Sequence, residues 1–123
     1  MHVNNEIGTI QPIEAIGKIC KKNNIYFHSD AAQSFGKIPI DISNVDLLTI
    51  SSQKIYGPKG AAALFIKNGV KIEPLLHGGG QEKGLRSSTE NVPAIVGFAK
   101  AAEIAISTME KEKERLTKLR DKI

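Results

Sequence analysis

The chain has 123 residues, 41% of them hydrophobic and 24% charged, with a formal net charge of +4. This is the balance of an ordinary globular chain, able to bury a modest core as one domain or as part of a larger one. No apolar run approaches ~18 residues, so the sequence predicts no transmembrane helix. Met1–Gly8 lacks the basic-then-apolar order of a secretory signal. The single cysteine, Cys20, excludes an internal disulfide and fits a reducing, cytoplasmic setting. Much of the basic charge lies in the terminal KEKERLTKLRDKI, interleaved with acids as on a solvated helix face. With only 5% aromatics there is little to stack on bases, so no nucleic-acid partner is expected.

In chain order, Met1–Val3 reads as the end of a strand. Residues 12–23 place Ile13, Ile16, Ile19 and Cys20 at helical spacing, with Pro12 suited to the first helical position and Asn23-Asn24 as the stop. IYFHSD (25–30) reads as a short strand. GKIPIDISN (36–44) is a connection, and VDLLTIS (45–51) is a nearly continuous apolar run, predicting a strand buried on both faces. GAAALFIKN (60–68) is a third strand and VKIEPLLHG (70–78) a short fourth. GGGQEKGLRSSTEN (78–91) is too glycine-rich and polar for regular structure. From Val92 a long helix is predicted, its apolar stripe running through Phe98, Ala102 and Met109 and thinning toward Leu116 and Leu119. Strands alternating with helices predict an α/β fold with a mostly parallel sheet.

In such sheets ligands sit beyond the carboxyl ends of the strands. Asp30 closes one predicted strand and Ser51 another, with Lys54 three residues later. A carboxylate and a lysine over one pocket suit pyridoxal 5′-phosphate: its aldehyde condenses with an amine, and its ring nitrogen is kept protonated by an acid. On spacing alone the plainer alternative stands, a loop lysine in water and a strand-end cap. No dinucleotide fingerprint, phosphate loop or esterase elbow is present. His2, His28 and His77 show no metal-ligand spacing, so no metal is expected. His28 reads as packed or hydrogen-bonded, and Cys20 as a small core residue.

Four longer stretches, HVNNEIGTIQPI, HSDAAQSFGKIPID, SSQKIYGPKGAAALFI and HGGGQEKGLRSSTENVPAIVGF, together resemble the cysteine desulfurases, class V members of the fold-type I pyridoxal-phosphate enzymes. The resemblance implies that residues 1–123 are the central part of the cofactor-binding large domain, truncated at both ends. On that reading 92–123 lead toward a small domain. By resemblance Lys54 carries the cofactor, Asp30 pairs with the pyridinium nitrogen, and Gln33 and Asn5 contact the ring oxygen O3′. Ser51 and Gln53 bind the phosphate, and Thr89 reaches the phosphate in the other subunit of a homodimer. Gln53 stands where most relatives have histidine; its amide donates to a phosphate oxygen but carries no proton in acid–base work. The implied reaction converts L-cysteine to L-alanine and passes the sulfur as a persulfide to an acceptor or iron–sulfur scaffold protein. Cys20 does not match the nucleophile's place, so this chain alone is not expected to be active. Selenocysteine lyases and other class V enzymes share the domain. A non-catalytic interaction module is the alternative of another kind.

Overall fold

The computed structural model describes all 123 residues. Residues 1–12 are extended and turn-rich: Val3 and Ile10 form an isolated antiparallel bridge, and the His2 N–H donates to the Asp30 carbonyl at 2.7 Å. Helix α1 spans Ile13–Lys22, with Pro12 one residue outside it as the N-cap rather than at the first helical position. Its inward side presents Ile13 and Gly17, the latter so close to the Asn44 backbone that a Cβ there would collide with it. Asn23 ends the helix, its side-chain Nδ2 donating to the Ile19 carbonyl, and Asn24 takes the left-handed conformation (φ 56°) that asparagine tolerates.

The sheet has three strands: β1 (His28–Asp30), β2 (Leu47–Ser51) and β3 (Ala62–Ile66), in that spatial order. β1 and β2 are parallel, with Asp30 opposite Thr49, whereas β2 and β3 are antiparallel, with Ser51 opposite Ala62. The α/β expectation holds, and the sheet is mixed. Residues 52–61 are shorter than the dozen or so that a parallel crossover needs, so β3 can only return antiparallel. β1 is shorter than the predicted 25–30, because Ile25 and Tyr26 have no facing strand and lie exposed. The predicted fourth strand at 70–78 does not form: Pro74 removes a ladder donor in its middle, and the segment stays irregular. β2 is not buried on both faces. Leu48 packs into the core with Ile13, Ala31 and Val45, supported by Phe27, Ile40 and Ile50. The other face carries Thr49 and Ser51, both half-buried.

Helix α2 spans Val92–Arg120, capped at its start by Asn91, whose Oδ1 accepts the Ala94 N–H. It buries Ala94 and Phe98 and packs against the 3-10 turn Ser52–Ile55 that follows β2. Close approach is made possible by small residues. A Cβ on Gly97 would lie 2.9 Å from Pro58, and one on Gly36 would lie 2.8 Å from Ala105. By length and composition alone α2 is apolar enough to cross a membrane, a test that the core helix of a soluble protein also passes. Counting uninterrupted apolar residues missed it, because Lys100 and Glu103 break the run without making the stretch polar.

Candidate functional site

Because β1 and β2 are parallel neighbours, their carboxyl ends lie side by side at one edge of the sheet. Alternation along each strand puts His28, Asp30, Thr49 and Ser51 on one face, and Ser29, Leu48 and Ile50 on the other. The polar face is internally ordered, with His28 Nε2 and Thr49 Oγ1 2.8 Å apart. Asp30 is fixed at three points. Its carbonyl accepts from His2, its Oδ1 accepts the Ala32 N–H at 2.8 Å, and the next residue's N–H donates to the Thr49 carbonyl. No group of the chain bonds its Oδ2, which is left for a ligand.

Ser51 is the last residue of β2, and the 3-10 turn follows at once. Ser52 and Ile55 are its buried anchors, three positions apart and therefore stacked on one side; Gln53 and Lys54 between them are thrust outward. Tyr56 closes the turn in the left-handed region (φ 64°), its N–H returning to the Ser52 carbonyl. The Lys54 amine enters no ion pair. Gln33 lies in the turn after Asp30, and its Oε1 accepts from Lys37 Nζ at 3.4 Å. The Lys37 amine is held below the usual lysine range, first by partial burial and then by the nearby Lys54 charge.

The structure thus gathers Asp30, Gln33, Ser51, Gln53 and Lys54 at one end of the sheet. Asn5 lies three residues on from His2, in an exposed turn in which the Asn4 carboxamide caps the N–H groups of Glu6 and Ile7. Thr89 is not brought there. It follows a loop in which Gly80, Glu82, Lys83 and Gly84 are left-handed, closed on itself by Ser87 Oγ at Gly80 and Gln81 Oε1 at Ser88. A separate groove of about 880 Å³ runs along α2 past Lys37, Lys54 and Tyr56. It touches none of Asp30, Gln33 or Ser51, so it is the seam between α2 and the turn, not a bed for a ligand held by the carboxylate. Cys20 is half-buried on α1 and outside the main core.

Sequence reasoning missed two residues. His2 is 5% exposed, with Nδ1 unpartnered and its pKa lowered by burial and then by the terminal amine. Lys37 stands four residues after Gln33 in a loop whose helical turn the sequence did not announce.

A family model for class V aminotransferases matches residues 1–123. The chain belongs to the class V aminotransferase family. Among curated relatives, cysteine desulfurase IscS of Clostridium botulinum (strain Hall) is 57% identical over 125 residues, covering 100% of this chain and 32% of the relative. Among solved structures, a NifS-like protein superposes with a TM-score of 0.94 at 49% identity, over 99% of this chain and 34% of the other. SspA, solved in complex with cysteine, gives 0.79 at 51% identity over 83% of this chain and 30% of the other. The chain therefore spans about a third of the length of the curated relatives it matches. Members of the class V family that act as cysteine desulfurases are pyridoxal phosphate enzymes. The donor types fit that group: the Lys54 amine in no ion pair, the Asp30 carboxylate, the carboxamides of Gln33 and Gln53 and the Ser51 hydroxyl, at or just after the ends of two neighbouring strands.

Proposed function

We propose that this chain is the cofactor-bearing part of a pyridoxal phosphate-dependent cysteine desulfurase. The reading is supported by one observation: β1 and β2 are parallel neighbours, so Asp30 ends one strand beside Ser51, which ends the next three residues before Lys54. When bound, the cofactor supplies an electron sink for bonds at the substrate's α and β carbons. The protein's own part is to bind, orient and move protons. Lys54 Nζ would hold the cofactor through its aldehyde, and as a free amine would serve as the base for the Cα proton. Asp30, oriented by the bond from the Ala32 N–H to its Oδ1, would keep the ring nitrogen protonated through Oδ2. Gln33 and Asn5 serve the ring oxygen, and Ser51 and Gln53 the phosphate. Thr89 serves the phosphate of a second subunit, consistent with its distance in the chain from the others.

The reaction moves sulfur from L-cysteine to a thiolate, giving a persulfide and L-alanine, and the persulfide sulfur passes on to an acceptor or iron–sulfur scaffold protein. Relatives named cysteine desulfurase support the activity, and SspA's complex supports the substrate. The test is spectroscopic. The full-length protein carrying this chain shows visible absorption with pyridoxal phosphate, and Lys54→Ala abolishes it. A band that survives in the variant removes the assignment.

A further inference from the structure

The turn after Asp30 is helical: the N–H groups of Ser34 and Phe35 return to the Ala31 carbonyl, and that of Lys37 to Ser34. Residues 33 and 37 consequently share one side of it. Lys37 Nζ donates to Gln33 Oε1 at 3.4 Å. An ammonium has donors only. It can therefore be satisfied by the carboxamide oxygen and not by the nitrogen, and it sets an orientation that a free amide leaves open. With the oxygen turned to Lys37, the two N–H donors of Gln33 face the other way. The ring oxygen that Gln33 serves is an anionic acceptor, so donors are what it needs.

We propose that Lys37 is a positioning residue that orients the Gln33 carboxamide, presenting Nε2 rather than Oε1 to the ring oxygen of bound pyridoxal phosphate. This rests on the assignment of the cofactor above. Lys37 and Lys54 line the same groove, which also carries Lys100, Glu112 and Lys113 of α2. The Lys37 amine is held low first by burial and then by Lys54, which places the two amines in one neighbourhood.

The experiment uses the full-length protein loaded with pyridoxal phosphate and follows the pH midpoint of its visible absorption, together with cofactor affinity. Losing a donor leaves more negative charge on the ring oxygen to hold the neighbouring proton. Lys37→Met therefore raises the midpoint by roughly 0.5 pH unit or more. Lys37→Arg keeps a donor and a charge and restores the parent midpoint. In a Gln33→Ala background, Lys37→Met adds no shift. A parent-like midpoint in Lys37→Met overturns the proposal. So does an undiminished shift without Gln33, since Lys37 would then act on Lys54 by charge alone. Should the methionine variant unfold, Lys37→Ala takes its place. A Lys54→Ala protein that keeps its visible band is a different result, and it removes the cofactor assignment itself.

Discussion

Asp30 is held by the sheet and by Ala32, whereas Lys54 and Gln53 are held only through the buried residues on either side of them. This difference decides what single substitutions do. Gln53 is exposed, and in the proposed site it offers one neutral hydrogen bond to phosphate. Gln53→Ala should then raise the dissociation constant for pyridoxal phosphate by roughly three- to tenfold and leave the visible maximum in place. A loss of the band itself would show that Gln53 does more than hold phosphate. His2 gives a pH effect with a definite sign. Burial lowers its folded-state pKa below the ordinary value of about 6.5, so the unfolded chain binds the extra proton first. The stabilisation is present above that value and is lost as pH falls through the folded-state pKa. Urea midpoints at pH 7.5 and 5.5 should differ in the parent and converge in His2→Gln. The strand-end positions of Asp30 and Ser51 were legible in the sequence because strand ends can be read from apolar runs. His2 was not, since a histidine at position 2 gives no periodic signal of burial.

At the scale of elements, the two helices follow from periodicity and strands β2 and β3 from short apolar runs, and the failures have local causes. Pro74 stops a fourth strand, and the missing partner for Ile25 and Tyr26 shortens the first. Neither cause lies in the apolar count of the segment itself. What seats α2 is equally hard to read, because it is the absence of side chains. Gly36 combines a left-handed φ of 71° with a Cβ position 2.8 Å from Ala105, whereas Gly60 has a φ of 86° and nothing within 4 Å. Both alanine variants pay the backbone strain, about 1 kcal/mol. Only Gly36→Ala also pushes on α2, adding about 1–3 kcal/mol by overpacking. Denaturant titration should rank Gly36→Ala clearly below Gly60→Ala. Equal losses would mean that α2 is not seated there.

For the whole molecule, the notable quantity is how little is enclosed. The buried apolar set is seven residues, divided between the sheet core and the α2 seat, while Leu64 on edge strand β3 is 44% exposed. An edge strand with exposed leucine invites pairing with another copy. The isolated chain should sediment as concentration-dependent oligomers, and Leu64→Lys should shift it toward the monomer. An unchanged profile would place the association elsewhere. The family was legible from four long stretches of sequence taken together, far more than from any spacing.

Helix α2 touches the Lys54 turn and its surroundings through Gly97, Ala101 and Ala105, then continues to Arg120 with Leu116 and Leu119 half-exposed. At ~1.5 Å per residue the seated part is ~12 Å long and the projecting part ~22 Å. These are the proportions of a crowbar. The last turns of α2 line the same groove as Lys54 and Tyr56, so the far end of the helix shapes the surroundings of that turn as well as its seat does.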